Sequence, residues 1–221
     1  MTENQLKLPA LADGYCRFYI FRHGKSEGNL MNLLQGQKDY PLTQEGVAAA
    51  EKVCDLLAGE NFSEIFASDL SRARQTAEII ASAKHLAVKA TYLLRDQTYG
   101  IFDGMEKTKF KEELRQKLAE HEALTVEEQI NDRLAPGAET DAEVLARLLN
   151  FLRFTALANS NKKILVISHS NVVRDLLVKF GYCVKKQLPS GSIKNLAYFV
   201  LDSNGSDFNV VGTHNIQVSP A

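Results

Sequence analysis

The sequence has no tryptophan and only three cysteines among its 221 residues. Cys16, Cys54 and Cys183 are far apart and lie in apolar segments, so a disulfide framework is not expected. Free cysteines fit a reducing compartment, and we expect a cytoplasmic protein. Residues 1–14 contain no apolar core of signal-peptide length. We interpret them as a flexible N-terminal leader that precedes a single domain at residues 15–221.

Long apolar runs and an excess of one charge are also absent. No stretch approaches the roughly 20 apolar residues of a membrane-spanning helix. The 26 cations and 27 anions give a net charge of −1, with no long run of either sign, so we expect neither a nucleic-acid surface nor a membrane-binding face. Hydrophobic residues make up 45% of the chain, which is typical of a globular protein with one good-sized core.

The most informative segment is the one in which an apolar strand pattern meets charged residues. Residues 15–21 form an apolar, partly β-branched run that predicts a buried strand, and Arg22, His23 and Gly24 follow at once. A histidine with its ordinary pKa of about 6.5 is substantially neutral at physiological pH, so a ring nitrogen can act as a nucleophile without a separate base. The planar fork of Arg22 suits a doubly charged oxyanion. Together they indicate phosphoryl chemistry.

Strand patterns alternate with helical patterns along the rest of the chain. Further strands are predicted at residues 62–67, 87–94, 164–168, 196–201 and 209–212, and helices with their capping residues at 43–59, 68–80, 106–122, 140–152 and 172–181. This alternation predicts an α/β fold, a three-layer sandwich in which helices cover both faces of a mostly parallel central sheet.

Polar residues follow four of the predicted strands and could meet at one edge of the sheet. They are His23, Arg72, Asp96 and His169, and ligands of such sheets bind outside the carboxyl ends of the strands. Arg72 falls in the first turn of a helix, where a cation is unfavourable unless an anion binds nearby. The alternative is that Arg72 and Arg74 both point to solvent.

Other kinds of site are less compatible with these residues. His23, His169 and Asp96 could form a two-histidine, one-carboxylate metal site, but the fixed cations Arg22 and Arg72 would repel a divalent metal. We therefore expect neither a metal nor another cofactor. A serine-type triad is disfavoured because no serine stands in the Gly-x-Ser-x-Gly turn that exposes such a nucleophile, and a Walker-type phosphate loop is also absent.

Four motifs stand in order along nearly the whole chain. They read Arg-His-Gly-Lys-Ser-Glu-Gly-Asn at 22–29, Ser-Asp-Leu-Ser-Arg-Ala-Arg-Gln-Thr-Ala at 68–77, Pro-Gly-Ala-Glu-Thr at 136–140 and Ile-Ser-His-Ser at 167–170. The first resembles the Arg-His-Gly-Glu-Thr/Ser-x-x-Asn signature of the histidine phosphatase superfamily, in its phosphoglycerate-mutase-like branch. The others are similar to that family's second-arginine motif, its Pro-Gly-Gly-Glu-Ser segment and its second-histidine strand end.

The resemblance implies a role for each matching residue. His23 would be the nucleophile that becomes transiently phosphorylated, and Arg22, Arg72 and His169 would line the phosphate pocket. Arg74 is expected on the helix surface. The expected substrate-binding residues, besides Arg22 and Arg72, are Ser26, Asn29, Gln35, Gly36, Tyr99, Lys107, Ser170 and Asn171.

The leaving oxygen must be protonated by an acid beside the phosphate. Asp96 occupies the position at which the mutase-like branch has a glutamate, and its shorter side chain moves the carboxyl by about 1 Å. Asp96 is our choice for the proton donor, and Asp103 is the second candidate. The alternative for either is an ordinary solvated aspartate in a turn.

The segment 106–134 is predicted to be a lid insertion over the site. Its second half is acidic and it lacks the Arg-Arg pair of the cofactor-dependent mutases, although Gln35-Gly36, Lys107 and Ser170-Asn171 resemble mutase positions. Since an acidic lid should disfavour small polyanions, we expect hydrolysis of a phosphomonoester, in a small molecule or a phosphoprotein, through a phosphohistidine. The alternatives are phosphoglycerate-mutase-type transfer and a non-catalytic phosphate-binding module. The sequence does not set the oligomeric state.

Overall fold

A computed structural model describes residues 6–220 of the chain. Its strands are β1 (Cys16–Arg22), β2 (Leu33–Leu34), β3 (Glu64–Ser68), β4 (Val88–Thr91), β5 (Met105–Glu106), β6 (Lys163–Ser168), β7 (Ile193–Ser203) and β8 (Phe208–Ile216). Its α-helices are α1 (Glu27–Leu30), α2 (Gln44–Leu56), α3 (Ser71–Lys84), α4 (Lys107–Glu113), α5 (Arg115–Ala123), α6 (Val126–Asn131), α7 (Asp141–Ala158) and α8 (Ser170–Lys179). Short 3₁₀ turns occur at Tyr92–Leu94, Gly100–Phe102 and Lys185–Gln187.

Six of the strands form one sheet in the order β4-β3-β6-β1-β7-β8. The neighbours from β4 to β1 run parallel, whereas β7 and β8 pair antiparallel at one side. In this register Arg22 lies opposite Ser168, so β1 and β6 end side by side. The residues that follow them, His23 and His169, are therefore delivered to the same sheet edge, as expected for a mostly parallel sheet.

Two apolar clusters cover the two faces of the sheet. Alternate residues of β1 point to opposite sides, so Phe18 and Ile20 join one cluster while Tyr19 and Phe21 join the other. Residues of α7 and α8 complete the first cluster, and residues of α2 and α3 complete the second. The predicted three-layer α/β sandwich is confirmed.

Helix starts follow the predicted capping chemistry in two of three cases. The Thr43 hydroxyl accepts from the Gly46 N–H at the start of α2, and Thr140 forms a capping box with Glu143 at the start of α7. Helix α3 differs, because its N-cap Leu70 offers no side-chain acceptor. Its first N–H, that of Ser71, donates instead to the Asp39 carboxylate at 2.7 Å. The expected cap within residues 68–71 is therefore wrong.

Several predicted boundaries differ from the structure. The strand predicted at 87–94 ends at Thr91, because the chain turns into a 3₁₀ helix that buries Leu94. The helix predicted at 106–122 is divided at Leu114 into α4 and α5. The segment 25–41, predicted to be a loop, contains α1 and β2.

The predicted leader lies partly within the described residues. Residues 1–5 lie outside them. Leu6 and Leu8 pack against the cluster that covers the α2 and α3 face of the sheet, so this part of the leader is packed on the domain rather than loosely held. Among the helices of residues 6–220, none combines the length and the apolar character that crossing a bilayer requires.

The insertion is anchored by a third apolar cluster at the edge of the sheet. Phe110 of α4 packs edge-on against Tyr99 and Phe102, with ring centroids 5.6 Å and 5.5 Å apart. Leu114 and Leu118 add to this cluster. The insertion is thereby fixed to the loop that carries Asp96.

Candidate active site

His23 begins the loop after β1 and is held by its backbone. Its N–H donates to Ser168 O at 2.9 Å, and its carbonyl accepts from Asn195 Nδ2 at 3.0 Å. Its ring Nδ1 lies 2.6 Å from Gly24 O. Because a carbonyl oxygen can only accept, Nδ1 carries the ring proton and Nε2 keeps its lone pair. The nitrogen available as a nucleophile is therefore Nε2.

His169 lies beside His23 at the end of the neighbouring strand. The two ring centroids are 5.2 Å apart and the ring planes are inclined by 61°. His169 is fully buried, and neither of its ring nitrogens has a hydrogen-bond partner within the described part of the chain. Unpartnered buried polar atoms are costly, so this imidazole is suited to a ligand that lies between the two rings.

Two guanidinium groups complete this polar cluster. Arg72 donates through Nη1 to Lys38 O at 2.9 Å and through Nη2 to Gly36 O at 2.8 Å. Arg22 donates through Nη1 to Ile193 O at 2.5 Å. The Nε atoms of both arginines are buried without a partner among residues 6–220. An oxyanion would satisfy these donors.

The two arginines of α3 have separate roles. Arg72 is fully buried, so the alternative in which it points to solvent is wrong for this residue. Arg74 lies on the helix surface, half-exposed, with its Nε 3.5 Å from Glu78 one turn along the helix. Arg72, the cation in the first turn of α3, therefore belongs to the buried polar cluster, whereas Arg74 does not.

Burial and positive charge set the protonation of both imidazoles. Desolvation, followed by the charges of Arg72 and Arg22, lowers the pKa of His23 well below its usual range. Desolvation and Arg72 likewise lower the pKa of His169. Both rings are neutral at physiological pH when no anion is present. The lone pair of His23 Nε2 is then free for attack on phosphorus.

Asp96 reaches the same region from the turn after β4. Burial raises the pKa of its carboxyl, and the charge of Arg72 opposes that rise. Its Oδ1 accepts from the Gln97 N–H at 3.1 Å and from Asn171 Nδ2 at 3.2 Å. Since both of these hydrogen bonds end on Oδ1, Oδ2 is the oxygen that can carry a proton to a ligand.

Asp103, the second candidate for the acid, has a different position. Its carboxylate accepts from the Gln37 N–H at 3.0 Å, the Thr98 hydroxyl at 2.8 Å and the Tyr99 N–H at 2.7 Å. It is not among the residues that line the cavity at the two histidines. Asp103 therefore shapes the loop that carries Asp96.

A cavity of about 490 Å³ opens above the two histidines and brings most of the predicted residues together. The predicted residues that line it are Arg22, His23, Asn29, Gln35, Gly36, Asp96, Tyr99, Lys107, Ser170 and Asn171. Arg72 and His169 do not line this cavity, because both are fully buried. Ser26 is the exception, because its buried hydroxyl binds Gln35 Oε1 at 2.8 Å and caps α1. Ser26 therefore does not line the cavity, and its predicted role as a substrate contact stays a prediction.

The sequence analysis missed two cations in this cavity. Lys111 stands one helical turn after Lys107 on α4, and Arg174 stands one turn after Ser170 on α8. The i, i+4 spacing on a predicted helix was the available signal. Asn32, Leu33, Leu34, Thr108, Phe110 and Ser190 complete the lining.

The acidic half of the insertion lies away from the cavity. The insertion residues that line it are Lys107, Thr108, Phe110 and Lys111. Asp132, farther along the insertion, pairs with Lys117 instead, at 2.7 Å. The expected acidic cover over the site is therefore wrong.

The chain matches a family model over most of its length. The model of the histidine phosphatase superfamily (branch 1) matches residues 18–216. The chain belongs to this superfamily.

Relatives in the superfamily carry two kinds of name. A 2,3-bisphosphoglycerate-dependent phosphoglycerate mutase of Bradyrhizobium diazoefficiens is 31% identical over 182 residues, which are 79% of this chain and 84% of the relative. The uncharacterized phosphatase PhoE of Bacillus subtilis is 29% identical over 165 residues, which are 73% and 76% of the two chains. A phosphoglycerate mutase structure from Bacillus anthracis superposes with a TM-score of 0.78 at 20% identity and covers 92% of this chain and 94% of its own.

The third motif, at residues 136–140, helps to hold the loop that carries Asp96, which we call the acid loop. The hydrogen bonds of Glu139 and Arg147 that hold it are called the clamp. Glu139 accepts from Arg147 Nε at 2.9 Å and from the Thr98 N–H at 3.1 Å. Arg147 in turn donates to the carbonyls of Leu93 and Arg95 at 2.8 Å each, and to that of Asp96 at 3.1 Å. The backbone carbonyls of Leu93, Arg95 and Asp96 are thus hydrogen-bonded to a side chain of α7.

The cluster of histidines and carboxylates does not have the arrangement of a metal site. Within residues 6–220, no group of three or more histidine, cysteine, aspartate or glutamate side chains is close enough to hold a metal ion. The described residues therefore do not bring His23, His169 and Asp96 together as the ligands of the two-histidine, one-carboxylate alternative. The Nε atoms of Arg22 and Arg72, which lack partners among the described residues, can only donate, and this favours an anionic ligand.

Proposed function

We propose that this protein is a phosphomonoester hydrolase that acts through a phosphohistidine on Nε2 of His23. The observation that carries the proposal is the set of buried, unpartnered polar groups in the neighbourhood of the His23 ring. Arg22 Nε, Arg72 Nε and the His169 ring are buried without a protein partner among the described residues. Three such groups around a neutral imidazole suit the equatorial oxygens of a phosphoryl group in transfer.

In the first step the substrate phosphate binds against Arg22, Arg72 and His169. His23 Nε2 donates its electron pair to phosphorus, and the bond between phosphorus and the ester oxygen breaks. That oxygen takes the proton of Asp96, so the product leaves as a neutral alcohol. Asp96 is left as a carboxylate.

In the second step water replaces the departed alcohol. Asp96 accepts a proton from the water as its oxygen attacks phosphorus, and the bond between phosphorus and Nε2 breaks. Inorganic phosphate is released, while His23 and Asp96 return to their starting states. Arg22 and Arg72 keep their charge throughout, because a guanidinium is not deprotonated in this range of pH.

The volume of the cavity favours a small phosphorylated molecule. About 490 Å³ lies within the usual range of small-molecule sites, roughly 300–1,000 Å³. A phosphoprotein would have to present its phosphorylated side chain to this same cavity.

A second candidate function is phosphoryl transfer of the phosphoglycerate mutase type. Lys107, Lys111 and Arg174 line the cavity beyond the phosphate-binding cluster, so a second anionic group on the substrate would find cations there. Relatives named as phosphoglycerate mutases add weight to this candidate.

The first test measures hydrolysis of p-nitrophenyl phosphate by the wild type, His23→Asn and His85→Asn. His85 is an exposed histidine at the end of α3 and serves as the matched control. We expect His23→Asn to lower kcat by about three orders of magnitude or more, and His85→Asn to leave it unchanged. An acid-labile phosphorylated protein should accumulate only when His23 is present. Wild-type protein that binds phosphate but hydrolyses nothing would instead indicate a non-catalytic binding module.

The second test separates hydrolase from mutase. The protein is supplied with 3-phosphoglycerate and 2,3-bisphosphoglycerate, and both inorganic phosphate and 2-phosphoglycerate are measured. The hydrolase proposal predicts phosphate release that exceeds isomerisation. Rapid isomerisation with little phosphate release would contradict it and support the mutase.

A further inference from the structure

A second cavity, of about 480 Å³, lies next to the candidate active site. Helix α8 separates the two, because its consecutive residues Arg174 and Asp175 line different cavities. Arg174 lines the active-site cavity and Asp175 lines the second one. The other walls are formed by α6 of the insertion, the first turns of α7 and residues 181–187.

The walls of this second cavity are mostly apolar. The apolar side chains that line it are Val126, Ile130, Leu145, Val178, Cys183 and Val184. Val126 and Val184 are half-exposed or more, at 72% and 50%. An apolar cavity of this size with exposed valines suits the hydrocarbon part of a small ligand.

One wall carries a buried carboxylate that lacks a partner. Asp175 is 5% exposed, and its Oδ2 is buried with no hydrogen-bond partner among residues 6–220. Arg174 forms an ion pair with the other carboxylate oxygen, Oδ1, at 3.6 Å from its Nε, and this contact leaves Oδ2 without a donor. A buried acceptor without a donor costs about 1–3 kcal/mol, and more when it is charged.

Two of the neighbouring charged groups in the cavity, Asp141 and Lys185, bind each other. Asp141 accepts from Gln97 Nε2 at 3.2 Å through one oxygen and from Lys185 Nζ at 2.5 Å through the other. Lys179 is exposed at the rim. Burial raises the pKa of Asp175 to about 6, which still leaves it ionised above neutral pH. Asp175 therefore presents one buried carboxylate oxygen, Oδ2, that has no hydrogen-bond donor among the described residues, in a mostly apolar cavity.

We propose that this cavity binds a small organic ammonium compound whose apolar body lies against α6 and α8 and whose N–H donates to Oδ2 of Asp175. The ammonium N–H supplies the donor that Oδ2 lacks, and the hydrocarbon covers the exposed valines. A neutral alcohol of the same shape would offer one O–H donor without the positive charge, and a carboxylate would offer Oδ2 no donor. Binding in this cavity requires none of the chemistry proposed for His23.

The absence of tryptophan allows a direct test by fluorescence. Val126→Trp places the sole tryptophan of the chain at the rim of the cavity, where a bound ligand would cover it. Phe154→Trp is the matched control, because Phe154 is 71% exposed and lines a different groove on α7. Each variant is titrated with 4-phenylbutylamine, 4-phenylbutanol and 4-phenylbutyrate, and tryptophan emission is recorded.

We expect the amine to shift the emission of Val126→Trp to shorter wavelength and to leave that of Phe154→Trp unchanged. The alcohol should bind about tenfold more weakly or worse, and the carboxylate should not bind. Adding Asp175→Asn to the reporter variant should remove the preference for the amine over the alcohol. Asparagine keeps the shape of the side chain, and unfolding by urea checks that the double variant folds.

Three results would overturn the proposal. They are no shift with the amine at millimolar concentration, equal affinity for the amine and the alcohol, and an unchanged preference for the amine after Asp175→Asn. Val184→Phe provides a second test that leaves Asp175 unchanged. The larger side chain at the rim should narrow the cavity and weaken binding of the amine. Amine affinity that does not fall in Val184→Phe would also place the ligand elsewhere.

Discussion

At the scale of single residues, the candidate site depends on opposite pKa shifts in two groups. The pKa of the His23 imidazole is lowered and that of the Asp96 carboxyl is raised. Burial among guanidinium groups keeps His23 neutral, while burial in the adjacent loop favours the protonated form of Asp96. A nucleophile must be unprotonated and a general acid must be protonated, so both shifts favour the proposed first step.

The role of Asp96 predicts a specific pH profile. Its pKa is raised, so the general acid is lost as pH rises through that folded-state value, and hydrolysis of substrates with poor leaving groups should fall on this alkaline side. Asp96→Asn should lower kcat about 10²–10⁴-fold for an alkyl phosphate and remove that alkaline limb. For p-nitrophenyl phosphate, whose leaving group needs little protonation, the loss should be much smaller. Steady-state rates across pH with the two substrates measure this, and equal losses for both would argue against Asp96 as the acid.

Asp175 allows a prediction for stability. Its folded-state pKa of about 6 exceeds the value near 3.9 expected in an unfolded chain, so the folded state binds the proton more tightly. Ionisation therefore costs stability, and the cost grows as pH rises from about 4 to about 6 and stays constant above. We expect Asp175→Asn to be more stable than the wild type by about 1–3 kcal/mol at pH 8 and equally stable near pH 4. Urea unfolding at both values measures it, and a variant that is less stable at pH 8 would show that Asp175 is already compensated.

At the scale of secondary-structure elements, the positions of the catalytic candidates follow from where strands end. The sequence predicted that His23 and His169 would come together because each follows an apolar strand, and their pairing needs only that the two strands be neighbours. The third strand end was less predictable. The apolar run that includes Leu94 continues past Thr91, and only tertiary packing turns it into the 3₁₀ helix that carries Asp96 to the site.

Capping of α3 shows the limit of local patterns. Residues 68–71 contain the side chains that usually cap a helix, yet the acceptor is Asp39, which is 32 residues away in sequence. The same applies to the clamp from Arg147 to the carbonyls around Asp96, which spans 51 to 54 residues. Contacts of this range carry no periodicity that a sequence pattern could reveal.

The clamp makes Arg147 a positioning residue, with a consequence for catalysis. Arg147→Met should release the carbonyls of Arg95 and Asp96 and let the acid loop move, which we expect to cost about tenfold or more in kcat for an alkyl phosphate. The loss for p-nitrophenyl phosphate should be smaller, since the effect passes through Asp96. Arg153→Met, an exposed change on the same helix, is the control. Equal losses for both substrates would indicate a purely structural role for Arg147.

At the scale of the whole molecule, the phosphate-binding cluster and the substrate-selecting wall come from different parts of the chain. The ends of β1 and β6 supply Arg22 and the two histidines, and the first turn of α3 supplies Arg72. The sequence motifs identified all four. The wall comes from the insertion, whose composition is acidic although the face that meets the cavity carries Lys107 and Lys111. Composition cannot show which face a helix turns inward, and here it predicted the wrong charge for the cavity.

This division predicts that specificity can be changed without changing the chemistry. Lys111→Gln removes a cation from the cavity, while Lys109→Gln, two residues earlier, removes one that lines a separate surface groove. For a phosphomonoester that carries a second anionic group, such as 3-phosphoglycerate, Lys111→Gln should lower kcat/KM by about threefold to tenfold, the effect of losing one partly exposed ion pair. For p-nitrophenyl phosphate, which has no second anion, both variants should match the wild type. If Lys111→Gln affected both substrates equally, its charge would act on the transferring phosphate itself, and the insertion would belong to the catalytic cluster instead of the selecting wall.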